Sequence, residues 1–364
     1  MKYYKVINLF LCVSLFQNCK QKNDVKVSSA MHTIEINKDF LFNHVNELQF
    51  KAIDTLALEA PGNPPLTAIQ DIAFGKEFIF LLDRKHGVLK FDYEGNYIQA
   101  IGNKGEGPDE YSIPTAIFID EKENIILISD WEKMVVNSYE MEGSFIASSK
   151  KLPGRPIAFY KENDKILVIQ EGIESYGEGA QTVLVSSFEP KTLEFQSQIS
   201  PLYTFASRFY RIHFFLRPFG QLNDTTLFYF PRVRFEGMTD QKDTIYRMEE
   251  DHLVPEYHLD FTNFGKSDTL RIESAEINGG YASILLAYKK KSYHLMLDLQ
   301  SRTPKFSMKL PSESYSFEVF PKQLNTDTYY AIIRNMDEKE EENPKIIIYS
   351  LTKENSKLKN ISGE

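Results

Sequence analysis

The sequence of 364 residues predicts an all-β fold, a six-bladed β-propeller with four-stranded blades. Three observations predict it. A pattern of short strands and turns repeats with a period just under fifty residues. Groups of short apolar runs continue at similar spacing to the end of the chain. An alternating segment ahead of the first group supplies the strand that the last group lacks.

The repeat is clearest near the start. Phe78 to Asp83 reads as an apolar strand ending in Asp, Gly87 to Asp92 as an alternating strand, and Gly95 to Ile98 as a glycine turn entering a third. The same order returns in Ile125 to Asp130, Met134 to Tyr139 and Gly143 to Ile146. Asp83 and Asp130 lie 47 residues apart, Gly95 and Gly143 48 apart, and the difference falls in a turn, where insertions are tolerated. Such a period, divided among several short strands, is that of propeller blades. An Asp that recurs after a strand is read as a turn cap that bonds nearby backbone.

Weaker copies follow. Ile157 to Tyr160, Lys165 to Ile169, Thr182 to Ser187 and Leu193 to Gln198 make a third blade. Thr226 to Phe230, Thr244 to Arg247 and Pro255 to Leu259 belong to a fourth, and Tyr281 to Tyr288 and Tyr293 to Leu299 to a fifth. The sixth has three strands, Tyr315 to Phe320, Tyr329 to Arg334 and Lys345 to Tyr349. Its fourth is expected from Lys51 to Leu58, so that the two chain ends share one blade and close the ring. The propeller is thus placed at 51–352, with a polar tail at 353–364. A short helix or plug is expected within 38–47. The acidic run Asp337 to Asn343 reads as a solvated hairpin loop.

The N-terminus reads as an export signal. Lys2 and Lys5 precede an apolar stretch from Val6 to Phe16, too short for the roughly 20 residues that span a bilayer. Leu15-Phe16-Gln17-Asn18-Cys19 resembles a bacterial lipobox, with Phe16 and Asn18 departing from the common pattern. That resemblance implies a signal peptide at 1–18, a lipidated Cys19 as first mature residue, and a tether and N-terminal extension at 19–50. The only other cysteine, Cys12, lies in the signal, so no disulfide is expected. Loss of Lys2 and Lys5 takes the formal charge from -9 to -11, which disfavours nucleic-acid partners.

Between the first two blades, Ile101-Gly102-Asn103-Lys104-Gly105-Glu106-Gly107-Pro108-Asp109-Glu110-Tyr111 with Pro114 resembles the inter-blade junction of NHL repeats. Lys242 to Arg247 is similar to the fourth blade of exported Bacteroidetes six-bladed propellers. The resemblance implies an NHL-like lipoprotein of the outer membrane, with the periplasmic face favoured over the cell surface. Enzymes of related architecture use calcium or zinc at the channel mouth. The seven histidines, His32, His44, His86, His213, His252, His258 and His294, share no metal-ligand spacing, and each is expected at the surface or in a turn. No metal, cofactor or catalytic residue is therefore assigned.

Features that break the repeat are the candidate ligand site. Arg84, His86 and Trp131 follow the Asp turns of the first two blades, where those blades differ. The single Trp suits a sugar or a cation, although packing between blades is its commoner fate. A second island, Phe205 to Phe235, holds Arg208, Arg211, Arg217, Arg232 and Arg234 among aromatics and would suit an anionic ligand or a partner loop. The expected function is a monomeric, non-catalytic recognition or scaffold module of the envelope. It would bind a small molecule, a glycan or an envelope protein. The alternative is a metal-dependent, lactonase-like hydrolase or lyase at the channel mouth.

Overall fold

The computed structural model describes residues 31–42, 47–59, 62, 66, 69–176, 180–204, 217–231, 233–235, 243–264, 270–310, 322–325, 327–333 and 343–353. Six sheets form the ring, and their inner strands surround the axis. Ahead of the first blade come β1 (His32–Glu35), helix α1 (Lys38–Phe42) and β2 (Leu48–Ala57). Blade 1 holds β3 (Ile69–Phe74), β4 (Ile79–Asp83), β5 (Gly87–Phe91) and β6 (Tyr97–Ile101). Blade 2 holds β7 (Pro114–Asp120), β8 (Ile125–Asp130), β9 (Val135–Glu140) and β10 (Phe145–Ser148). Blade 3 holds β11 (Gly154–Glu162), β12 (Lys165–Tyr176), β13 (Ala180–Phe188) and β14 (Phe195–Thr204).

Blade 4 is built from β15 (Phe219–Leu222), β16 (Thr225–Phe228), β18 (Thr244–Glu249) and β19 (His252–Asp260), while β17 (Val233–Phe235) crosses to pair with β14 of blade 3. Blade 5 holds β20 (Leu270–Asn278), β21 (Tyr281–Tyr288), β22 (Lys291–Asp298) and β23 (Thr303–Lys309). Blade 6 takes β24 (Lys322–Asn325), β25 (Thr328–Ile333) and β26 (Lys345–Lys353) from the end of the chain. Its outermost strand is β2, paired antiparallel to β26 from Leu48↔Lys353 to Ala57↔Lys345. The expected closure is therefore present, with the closing strand starting at Leu48. A register shift between Ala52 and Asp54 leaves Ile53 exposed on the rim.

The first two blades repeat for the reasons read from the sequence. Gly95 and Gly143 both adopt positive φ, at 89° and 97°, in the turn between third and fourth strands, where a side chain would be strained. Asp83 Oδ1 accepts the backbone N–H groups of Lys85 and His86, each at 2.9 Å. Asp130 accepts those of Glu132 and Lys133 at 3.1 Å, and its other oxygen accepts Ser112 N–H at 2.7 Å. Both carboxylates are buried and cap the hairpin joining second and third strands.

Buried apolar side chains gather at each of the six blade–blade interfaces. Phe80 and Leu82 of blade 1, for example, meet Ile126 and Ile128 of blade 2. Both faces of a middle strand are thus covered, which explains the continuous apolar runs at Ile79–Asp83 and Ile125–Asp130.

Several expectations are modified. Blades 3 and 4 carry a fifth strand, β17 antiparallel to β14 and β1 parallel to β19. The short helix expected within 38–47 is present as α1, which packs on β23 with Leu41 buried in the layer between blades 4 and 5. His294 is neither a surface nor a turn residue. It is fully buried in β22, its Nε2 2.9 Å from Ser283 Oγ, and its ring is flanked by Phe50 and Phe306. The expected strand Tyr315 to Phe320 and the loop residues 337–342 lie outside the described residues, and β24 supplies the inner strand of blade 6.

Candidate functional site

Inner strands of a propeller converge on the axis, so side chains far apart in sequence meet there. In this chain they are charged. Arg217, just before β15, crosses from blade 4 to the opposite blade 1. Its Nη2 donates to the carbonyl oxygen of Ile72 at 2.7 Å and lies 3.3 Å from Asp71 Oδ1. Asp71 is buried in β3, where its Oδ1 accepts its neighbour Ile72 N–H and its Oδ2 accepts Ile117 N–H from blade 2, both at 2.9 Å. One carboxylate thus links three blades.

A second pair lies beside the first. Lys322 of β24 and Glu276 of β20 are buried, with Nζ and Oε1 3.9 Å apart. Arg217 also makes a parallel backbone bridge with Glu276, and the Tyr330 side chain lies against its guanidinium. The four charges balance.

Burial pushes the Asp71 carboxyl above the usual carboxylate range, with the Arg217 guanidinium opposing it. Burial pulls Lys322 down to about 8, with Glu276 opposing. Burial works against the Arg217 charge too, but Tyr330, Asp71 and Glu276 together outweigh it and hold the guanidinium protonated.

Above this braced floor opens a cavity of about 840 Å³, lined by the inner strands of blades 3 to 6. That is within the roughly 300–1,000 Å³ of small-molecule sites. Asn223, Gly279 and Gly280 at its rim belong to hairpins joining first and second strands, which fixes the face on which it opens. Tyr160 and Phe219 stack on one wall, 5.0 Å between centroids and 23° between planes. Lys161, also in the lining, is tied to Asp120 of blade 2 at 2.6 Å.

The sequence-predicted residues divide. Arg217 lines the cavity. Arg84, His86 and Trp131 sit on hairpins joining second and third strands, so they lie on the opposite face of the ring. There the His86 Nδ1 is 2.8 Å from Asp83 Oδ1, while Arg84 is exposed. Trp131 packs between blades 2 and 3: the Arg155 guanidinium covers its ring at 3.8 Å, and Glu171 accepts from its indole. Arg234 is in β17, and Cys19, Arg208, Arg211 and Arg232 lie outside the described residues. Sequence reasoning missed Asp71, Glu276 and Lys322. They belong to three blades, and the only signal for each was a charge within a strand-like stretch.

Among the described residues, no three His, Cys, Asp or Glu side chains are grouped to hold a metal ion. No described helix is long and apolar enough to cross a membrane.

The family model described as "Domain of unknown function (DUF4934)" matches residues 33–362. Two solved structures share the fold. One is an exported protein of Bacteroides fragilis, at 14% identity and a TM-score of 0.56, covering 88% of this chain and 99% of that one. The other is a member of the DUF4221 family from Bacteroides vulgatus, at 12% identity and a TM-score of 0.56, covering 85% and 99%. No curated protein matches the chain.

Proposed function

The chain belongs to the DUF4934 family, and from that premise we propose that it is a non-catalytic recognition or scaffold propeller of the cell envelope. The observation that carries this reading is the use made of the axial charges. Catalysis needs an acid, base or nucleophile free to exchange a proton or a bond with substrate. Asp71 instead accepts two backbone N–H groups and Arg217, and Arg217 spends a donor on the Ile72 carbonyl. These groups brace the ring and leave the cavity above them to bind.

Export and a lipid on Cys19 complete the proposal, on the strength of the lipobox-like Leu15 to Cys19. The Bacteroides fragilis structure of the same fold is described as an exported protein. The chain would then stand as a monomer on the outer membrane, on its periplasmic face, as an NHL-like lipoprotein. Its partner would be a small molecule, a glycan or an envelope protein.

The test is a turnover assay with lactone and oligosaccharide substrates, with and without added Ca²⁺ or Zn²⁺, run beside a binding assay. Binding with no product supports the proposal. Metal-dependent product formation, abolished by a chelator, contradicts it and returns the hydrolase alternative.

A further inference from the structure

We propose that the axial cavity on the first-hairpin face takes a neutral, polyhydroxylated ligand, an uncharged oligosaccharide end. The inference rests on the recognition reading above and names the ligand class for that site. Three features of the lining support it.

First, its charges are already paired. Of the cations in the lining, Arg217 is matched by Asp71 and Lys161 by Asp120. Asp298, at the rim, caps its own turn by accepting Gln300 and Ser301 N–H at 2.9 Å each. An ionic ligand would have to break one of these pairs and leave a buried charge exposed to low dielectric, which is costly.

Second, the uncharged polar side chains of the lining are amides, apart from Tyr160 and Tyr281. Gln221, Asn223, Gln300 and Gln323 come from blades 4, 5 and 6 and line one opening. A carboxamide both donates and accepts, which matches hydroxyl groups that do the same. A site built for carboxylate or phosphate would present unpaired Arg or Lys instead.

Third, the wall between blades 3 and 4 is aromatic. The Tyr160–Phe219 stack gives an apolar face of the kind that the C–H groups of a sugar ring cover, and the Tyr160 hydroxyl bonds Gln221 and Thr226. Amides for the hydroxyls and a ring face for the C–H groups together describe carbohydrate chemistry. Of the arginine and tryptophan residues picked out from the sequence, only Arg217 enters the argument, as a charge already paired.

The test is a calorimetric titration of the full-length chain in detergent with linear α-glucan, β-xylan and β-mannan oligosaccharides and with oligogalacturonate, at low and high salt. The expected result is saturable binding of at least one neutral oligosaccharide, insensitive to salt. Gln300→Leu and Gln323→Leu should each weaken it about tenfold, the loss of a well-made hydrogen bond. Tyr160→Ala should weaken it at least as much, and unchanged melting of the exposed Gln300→Leu variant would show that folding is intact. Binding of oligogalacturonate alone, weakened by salt, would overturn the ligand class and leave recognition standing. Release of reducing ends from a bound neutral oligosaccharide would keep the ligand class and overturn the non-catalytic reading. No binding by any neutral oligosaccharide, or binding indifferent to all three variants, would overturn the inference.

Discussion

Arg217 Nη2 lies 2.7 Å from the Ile72 carbonyl oxygen and 3.3 Å from Asp71 Oδ1, so a side chain of blade 4 braces blade 1 across the axis of the ring. Ring closure by β2 and β26 holds the rim, and this contact holds the centre. The two act on different radii of one structure, and each can be broken separately.

Arg217→Leu should destabilise the fold by about 2 kcal/mol. Removing one partner of a fully buried pair costs roughly 3–5 kcal/mol, and the 39% exposure of the Arg217 side chain reduces that through solvent screening. Urea unfolding measures it. Adding Asp71→Asn to Arg217→Leu should recover part of the loss, because the carboxylate then no longer lacks its cation.

Deleting residues 31–58 removes β2 and with it the outermost strand of blade 6. The layer between blades 6 and 1 loses Leu58, and that between blades 5 and 6 loses Leu48 and Phe50. Calorimetry should show loss of the single cooperative transition or a large fall in Tm. An unchanged melting profile would refute closure by the N-terminal strand.

Acid should destabilise the protein through His294. Burial pulls this imidazole from 6.5 down to about 3. Between those values the unfolded chain binds a proton that the folded chain refuses, so stability present above pH 6.5 is lost as pH falls. The slope from this group is about 1.4 kcal/mol per pH unit. His294→Phe, placed between Phe50 and Phe306, should flatten the dependence of the urea midpoint across that window.

Cys19→Ala should move the protein from the membrane to the soluble fraction of cells. Retention on the membrane would refute the lipid anchor.

The scaffold was legible where the repeat is regular. Asp83 and Asp130 recur because each caps the same hairpin, and Gly95 and Gly143 because each needs the same positive φ. Middle strands were legible throughout, since neighbouring blades cover both their faces. The inner strand of blade 3 was read at Ile157 to Tyr160, but those of blades 4 to 6 were not: Phe219–Leu222 is short, while Leu270–Asn278 and Lys322–Asn325 carry Glu276 and Lys322 toward the axis and break the apolar pattern. His294 was misjudged because a lone imidazole in a strand gives no sign of which side the next blade covers.

The candidate site was the least legible part. Arg217 was picked out for its place among arginines, whereas its described partners lie 146 residues away in sequence at Asp71 and 145 away at Ile72. Arg84, His86 and Trp131 break the repeat, yet they lie on the other face. Trp131 is already covered by Arg155.

Hydrogen exchange of the full-length chain, with and without the oligosaccharide that binds most tightly in the calorimetric titration, tests the central claim most directly. The account predicts new protection at the first hairpins, around residues 221–225 and 278–282, together with 298–303, and none around 83–87 or 130–135. Protection confined to 83–87 and 130–135, with the axial hairpins unchanged, would contradict it.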